Sequence, residues 1–198
     1  MDARARGTEA APVSYTVYFD LETGGIEMRH PVIQLAAIAV DESLSECGTF
    51  ERKIAFSVEA CDPEALRVNH FTAEAWKDAT SPAATIGAFN AWLKPFSSIE
   101  KLSQRTGAPY MLAKLAGYNA VTFDGPRLKA MYVGSFFPCS YQIRDVMQRA
   151  FWWCDEHGIV PEDFKLTTLC RYFSIPTDGA HDALTDVRLT IALAKAMR

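Results

Sequence analysis

The stretch VYFDLETGG, residues 17–25, decides how the rest of the chain is read. Val17, Tyr18 and Phe19 have the β-branched and aromatic character of a strand, yet the run ends in two carboxylates, Asp20 and Glu22, followed at once by Thr23, Gly24 and Gly25. Along a strand, residues two apart project to one face, so Asp20 and Glu22 stand together if the extended geometry continues through them. Standing together they repel, and at the mouth of a core one must take up a proton unless a cation neutralises the pair. A hard divalent ion such as Mg²⁺ favours oxygen ligands and is often held by one or two protein carboxylates together with substrate phosphate oxygens. Two other readings stand beside that one. The acids would be solvated turn residues, with the glycines supplying the turn, or the stretch would be a phosphatase strand end, whose second acid is Asp where this chain has Glu22.

Outward from this stretch, strand-like runs cover residues 15–20 (YTVYFD), 32–41 (VIQLAAIAVD) and 50–58 (FERKIAFSV), with connections short enough for hairpins, which predicts an antiparallel start. A loop over residues 62–71 leads to SPAATIGAFNAWLKP, where Ser81 is placed to cap a helix, Pro82 to open it and Pro95 to stop it, with Ile86, Phe89 and Leu93 on one face. Residues 111–119 (MLAKLAGYN) read as one buried strand, followed by a short helix carrying Leu128 and Met131. Met147, Ala150, Phe151 and Cys154 recur at helical spacing as far as Gly158, and LTTLCRYFSI reads as a short helix. A terminal helix carries Leu184, Val187, Ile191 and Ala194 on one face; Trp152 and Trp153 would either mark a partner face or, the better reading, pack in the core. Strands first, then mixed strands and helices, predict α/β layers around one sheet.

A chain of 198 residues is long enough to bury one core without disulfides or a structural metal. Residues 14–198 are expected to form a single domain, and residues 1–13, polar and Ala-rich without the apolar stretch of a secretory signal, a flexible N-terminal tail. Hydrophobic residues at 49% and charged residues at 22% are globular proportions, and no apolar run approaches the ~20 residues of a membrane-spanning helix, so no membrane contact is expected. Five cysteines, an odd number without a C-x-x-C pair, argue for reduced core thiols and a cytoplasmic setting over a disulfide framework or zinc site. The net charge of −4 lacks the basic excess usual in nucleic-acid binders. Formal charge leaves out bound cations, however, and divalent ions at one place would reverse the local field that an anionic substrate meets.

Two further stretches bear on the carboxylate pair. AGYNAVTFDGPRL runs from a buried strand into a polar turn with Asn119 and Asp124 at its mouth, and AHDALTDVRLT opens the terminal helix with His181 and Asp186 five residues apart. Five positions on a helix are roughly 140° apart, so His181 and Asp186 converge only if His181 lies at or before the first turn, an entry that Gly179 suits. By itself a single His near a helix start, as His181 is, is more often a capping or surface residue. Asp182 and Asp186, at i and i+4, would form a like-charge pair costing ~0.2–0.5 kcal/mol in an isolated helix.

In chain order, FDLETGG, GYNAVTFDGPRL and AHDALTDVRLT resemble the three motifs of the DEDDh exonucleases, the family that includes the proofreading subunit of bacterial replicative polymerases and ribonuclease T. The resemblance spans residues 15–197. Between the motifs, VIQLAAIAV is similar to the family's second strand, RVNHFTAEAW to its loop before the first helix, and LTTLCRYFSIP to the helix leading to the last motif. The resemblance implies an α/β, ribonuclease H-like fold: a mixed five-stranded sheet flanked by helices on both faces. It implies Asp20, Glu22, Asp124 and Asp186 as metal ligands, Asp20 bridging two Mg²⁺ ions for which Mn²⁺ would substitute, and His181 as general base. Such ions sit ~3.5–4 Å apart, one activating water and the other stabilising the leaving oxygen. An imidazole of unperturbed pKa ~6.5 suits the base role.

Among substrate-binding residues the resemblance implies Leu21, Thr23, Gly24 and Asn119, with Thr23 and Gly24 approaching the terminal nucleotide through their backbone. The triplet Asn69, His70, Phe71 stands where relatives commonly have Asn-Gly-Ile. His70 then takes the Gly slot and Phe71 the aliphatic one, where Phe71 would either stack on a base, worth ~1–3 kcal/mol, or belong to the core. GYN replaces the His-Asn of many relatives, which leaves the subfamily open. The implied activity is that of a metal-dependent 3′–5′ exonuclease hydrolysing single-stranded DNA or RNA ends to nucleoside 5′-monophosphates. One alternative is a catalytically idle nuclease-fold module that binds nucleic acid or a polymerase or helicase partner; another is a phosphodiesterase or phosphatase acting on mononucleotides. DNA against RNA, and the oligomeric state, stay open at this point.

Overall fold

Strand β1 (Thr16–Thr23) lies in the middle of the molecule, and its alternation divides everything else into two layers. In this computed structural model, which describes residues 14–179 and 182–198, β1 runs on through Asp20 and Glu22 and ends only at Thr23. Val17, Phe19 and Leu21 point into one apolar cluster and Tyr18 into the other, which places Asp20 and Glu22 on the Tyr18 face by the period of two. β2 (Val32–Val40) pairs antiparallel with β1, and β3 (Glu46–Lys53) antiparallel with β2. β6 (Leu115–Gly117) lies parallel to β1 on its other side, and β7 (Arg144–Asp145) parallel to β6 at the edge. The five-stranded mixed sheet therefore runs β3-β2-β1-β6-β7.

Helices α2 (Pro82–Leu93) and α3 (Asp124–Ala130) cover the Phe19 face, with Ile86, Phe89 and Leu93 buried against Leu35 and Ala37 as the sequence spacing predicts. Ser81 caps α2 by accepting the Ala84 amide at 3.2 Å, and Pro82 opens it. The Tyr18 face is covered by α4 (Val146–His157), α5 (Leu166–Tyr172) and α6 (Ala183–Ala196). α6 buries Ala183, Leu189, Thr190 and Leu193 as well as Val187, Ile191 and Ala194, a wider band than a single apolar stripe. It lies between the sheet on one side and α5 on the other, so two faces lose water instead of one. A six-residue helix, α1 (Pro63–Val68), occupies part of what the sequence suggests is loop.

Three expectations are corrected. Residues 111–119 are not one strand: the chain breaks at Lys114 into β5 (Pro109–Ala113), which pairs with β4 (Ser97–Leu102) as a separate two-stranded sheet, and β6 in the main sheet. Lys114 sits at the switch, its carbonyl accepting Val17 N at 2.8 Å and its ammonium reaching Ser14 Oγ at 2.6 Å. The third strand is displaced toward the N-terminus from residues 50–58, and Val58 lies in a short 3₁₀ turn. Trp152 is 70% exposed, because the buried side of α4 is set by Val146, Ala150 and Cys154, and a residue two before Cys154 points well away from that line. Trp153 does pack inward, against Phe173 at 4.9 Å between ring centres.

All five cysteines are free; Cys139, Cys154 and Cys170 are buried, while Cys47 is exposed and Cys61 partly so. Among the described residues no helix is long and apolar enough to cross a membrane. The tail expected over residues 1–13 lies outside the described residues.

Candidate active site

Three of the carboxylates singled out in the sequence meet on the Tyr18 face. Asp20 and Glu22 project from β1, and Asp186 comes from the first turn of α6, which packs across β1 and β2. One oxygen from each lies within 4.8 Å of the others, and all three residues are half-buried. Asp124, the first residue of α3, is only 4% exposed, and its Oδ1 accepts the Leu21 amide at 3.2 Å. The backbone between Asp20 and Glu22 is thereby tied to the helix carrying the fourth acid.

The local fold explains how each acid is held. β1 stays paired with β2 from Thr16 opposite Val40 to Glu22 opposite Gln34, and the register slips only between Glu22 and Thr23, so both acids keep their place on the ladder. α6 starts at Ala183 because Asp182 caps it, accepting the Thr185 amide and hydroxyl, both at 3.2 Å. Asp182 is therefore the cap of α6 and Asp186 a residue of its first turn. His181 lies outside the described residues.

The electrostatics of the cluster is one-sided. Burial, and then the neighbouring carboxylates of Asp124, Glu22 and Asp186, push the Asp20 carboxyl well above the usual range. Glu22 is pushed up to about 7 by burial and then by Asp186 and Asp124. Asp124 also rises to about 7 through burial, although the Leu21 amide and the Arg127 cation pull it down. Such a set is held together at a cost unless positive charge enters it. An all-oxygen donor set, partly open to solvent and lacking thiolate or imidazole among the described residues, matches the preference of a hard divalent ion such as Mg²⁺.

Around this cluster the implied substrate residues divide. Thr23 is buried; its hydroxyl donates to Gly25 O at 2.9 Å and its carbonyl accepts Asn69 Nδ2 at 2.9 Å. Thr23, Gly25, Ile26, Ala65, Val68 and Asn69 line a cleft of about 340 Å³ between the β1–β2 turn and α1. Both backbone groups of Gly24 are used internally, its amide by Pro31 O at 2.8 Å and its carbonyl by Asp62 N at 2.7 Å. A Cβ there would lie 2.3 Å from Cys61 Sγ, so the space that Gly24 leaves is filled by the protein itself. Leu21 is buried in the α2-side core.

His70 is exposed with φ +51°, and Phe71 packs against Phe56 and Trp76, ring centres 5.1 and 5.3 Å away, in a separate depression. Asn119, also at positive φ, accepts the Thr122 hydroxyl within its own turn.

The geometry adds residues that the sequence reading passes over. Arg127, on α3 three residues after Asp124, is buried, donates to Phe123 O at 3.0 Å and to Ile26 O, and lies 3.6 Å from the centre of the Phe123 ring. Its only sequence signal is a cation close behind a motif acid. Asp145 caps α4 through the Met147 and Gln148 amides and also accepts the Asn119 and Val121 amides at 3.1 Å, which fixes the turn leading to Asp124.

Solved structures of exonuclease I share this architecture. One, described as suggesting how processivity is achieved, superposes with a TM-score of 0.71 and 24% identity over 92% of this chain and 40% of that one. Exonuclease I of E. coli in complex with a dT13 oligonucleotide gives 0.70 and 23%, over 92% of this chain and 40% of that one. A product-bound exonuclease I gives 0.69 and 23%, over 92% and 43%. The likeness is one of fold. The fold is thus ribonuclease H-like, the mixed five-stranded sheet with helices on both faces that the motifs imply. This chain spans about 40% of the length of the exonuclease I structures it matches. No protein-family model matches it, and neither does any curated protein.

Proposed function

We propose that this chain is a divalent-metal-dependent 3′–5′ exonuclease that releases nucleoside 5′-monophosphates from single-stranded nucleic acid. The observation that carries the proposal is the convergence of Asp20, Glu22 and Asp186, oxygens within 4.8 Å of one another, from elements more than 160 residues apart in the chain. Support comes from Asp124, hydrogen-bonded to the backbone between the two β1 acids, and from the shared fold of exonuclease I, which is known in complex with single-stranded oligonucleotides.

Asp20, Glu22, Asp124 and Asp186 would hold two Mg²⁺ ions, or Mn²⁺ in their place. When bound, such ions supply positive charge at an in-line phosphodiester displacement, where negative charge develops on the attacking and leaving oxygens. The protein's part is to hold Asp20, Glu22 and Asp186 about one place from β1 and α6, with Asp124 tied to β1 through the Leu21 amide; an entering cation would favour the ionised form that burial opposes at Asp20, Glu22 and Asp124. His181, one residue before the α6 cap in sequence, is assigned the general base on its place in the third motif alone; it would take the proton of the attacking water. The cleft beside Thr23, Ile26 and Asn69 would receive the 3′-terminal nucleotide. Free thiols agree with a reducing, cytoplasmic setting.

The test is a product time course on 5′-labelled single-stranded DNA and RNA oligomers with Mg²⁺, Mn²⁺ or chelator, run beside an Asp186→Ala variant. A ladder shortening from the 3′ end only with metal, and absent in the variant, is expected. Equal activity in Asp186→Ala, or cleavage of mononucleotide analogues in preference to oligomers, would sink the proposal. The ratio of DNA to RNA rates assigns the substrate, because discrimination rests on how a 2′-hydroxyl is received.

A further inference from the structure

We propose that Gln34 is a positioning residue of the carboxylate site: its side-chain amide bridges Glu51 on β3 and Asp182 at the head of α6, and so sets where α6 begins against β1. Gln34 is 2% exposed and stands directly opposite Glu22 in the β1–β2 ladder, on the same face. Its Nε2 donates to Glu51 Oε1 at 2.9 Å and to Asp182 Oδ1 at 3.0 Å. Asp182 uses its other oxygen, Oδ2, to cap α6 at Thr185, and its carbonyl accepts the Asp186 amide at 2.9 Å. A continuous chain of contacts thus runs from β3 through Gln34 and Asp182 to the residue whose carboxylate joins Asp20 and Glu22.

The residue type follows from the chemistry. Two carboxylates face one point in a partly desolvated space, and an amide NH₂ offers each of them one N–H without adding charge. Glutamate there would bring a third carboxylate and no donor, and a hydrocarbon of the same size would leave both acids without this bond. The stakes for the site are geometric. A helix rises about 1.5 Å per residue, and a displacement of about 1 Å at reacting groups costs up to ~10²-fold in rate. The inference rests on the nuclease reading above for its kinetic readout, but not for its metal-binding one.

The test compares the full chain with Gln34→Ala, the near-isosteric Gln34→Met, Asp182→Ala and the Gln34→Ala/Asp182→Ala double variant. Each is measured for kcat and KM on a single-stranded oligonucleotide, for Mn²⁺ binding by calorimetry, and for thermal midpoint. Removing Gln34 is expected to lower kcat and weaken Mn²⁺ binding about 10- to 100-fold, the order of loss that a displacement of about 1 Å in the Asp186 carboxylate would bring, with KM within about threefold. Because Gln34 acts through Asp182, the double variant should match Asp182→Ala within about twofold.

Should Gln34→Ala melt below the assay temperature, Gln34→Met carries the same expectation. A kcat and a Mn²⁺ affinity both within about twofold of the parent, or losses that multiply in the double variant, would overturn the assignment. A parent chain that binds Mn²⁺ but cuts no nucleic acid ends the exonuclease reading alone, and Gln34 then stands or falls on the Mn²⁺ ratio. A parent that does neither overturns both.

Discussion

Asp20, Glu22 and Asp124 each hold their protons more tightly in the folded chain than an ordinary carboxyl does, chiefly through burial and then through neighbouring carboxylates, Asp124 and Glu22 acting on Asp20, and Asp186 and Asp124 on Glu22. Between about pH 4, where these groups ionise in an unfolded chain, and about 7, the folded state binds more protons than the unfolded one, so stability must fall as pH rises through that window. The metal-free protein is therefore expected to melt lower at about pH 8 than at about pH 5.5, and Mg²⁺ to raise the midpoint more at the higher pH, where protons no longer compete. A metal-free midpoint that is flat or rising across this range would contradict the electrostatics described. By the same reasoning Asp20→Asn relieves repulsion: at about pH 8 it should raise the metal-free midpoint by a few degrees while abolishing the Mg²⁺-induced rise and all but ~1% of nuclease activity.

His70 gives a prediction that concerns stability alone. It sits at φ +51° just past α1, with the Phe71 amide bonded to Leu66 O at 2.9 Å and its own amide to Arg67 O at 3.3 Å, the two bonds of a Schellman helix end. That geometry suits Gly better than a residue with a side chain, and His70→Gly should gain ~1 kcal/mol in urea unfolding; a loss would mean that the imidazole makes a stabilising contact.

At the scale of elements, the site depends on where three of them begin. α3 delivers Asp124 from its first position and α6 delivers Asp186 from its first turn, while the β6–α3 turn is fastened to α4 by Asp145. Asp145 accepts four backbone amides, so Asp145→Ala strands more donors than an ordinary cap and should cost about 2–4 kcal/mol, against ~1 for a simple cap. Chemical denaturation measures this directly, and a loss near 1 kcal/mol would show that water satisfies the β6–α3 turn.

The helices α2 and α4 were legible from sequence to within a residue or so, because their caps and stops are local: Ser81 and Pro82 for one, Gly158 at φ +66° for the other. The break at Lys114 was not. Residues on both sides of it are apolar, and which sheet each half joins depends on partners such as Ser97 and Val17 far away in the chain.

At the scale of the whole molecule, one sheet separates two apolar clusters, and β1 and β2 contribute side chains to both. Neither cluster has a wall of its own without the sheet, so the described residues should unfold in a single cooperative step. Phe89 is fully buried and meets Phe50 and Trp92, with ring centres 5.2 and 5.8 Å away. Phe89→Ala is expected to cost about 3–5 kcal/mol and to shift the whole transition, with tryptophan fluorescence and far-UV circular dichroism still superimposing. Trp92 reports the α2 side and Trp153 the α4–α6 side, so a split between the two signals would show that the clusters unfold separately.

Sequence by itself determined the pieces and their chemistry. The alternation in VYFDLET puts Asp20 and Glu22 on one face as soon as the strand continues, the spacing of Ile86, Phe89 and Leu93 makes a helix face, and three acid-bearing motifs in order imply the fold. Each of these is encoded within a few residues, where steric period and capping act. Only the tertiary structure decided which acids meet, that Phe71 joins Phe56 and Trp76, that Cys61 fills the space beside Gly24, and that Gln34 spans two carboxylates. Those outcomes join residues far apart in the chain, and such pairings follow from sheet order and burial, which no local pattern records.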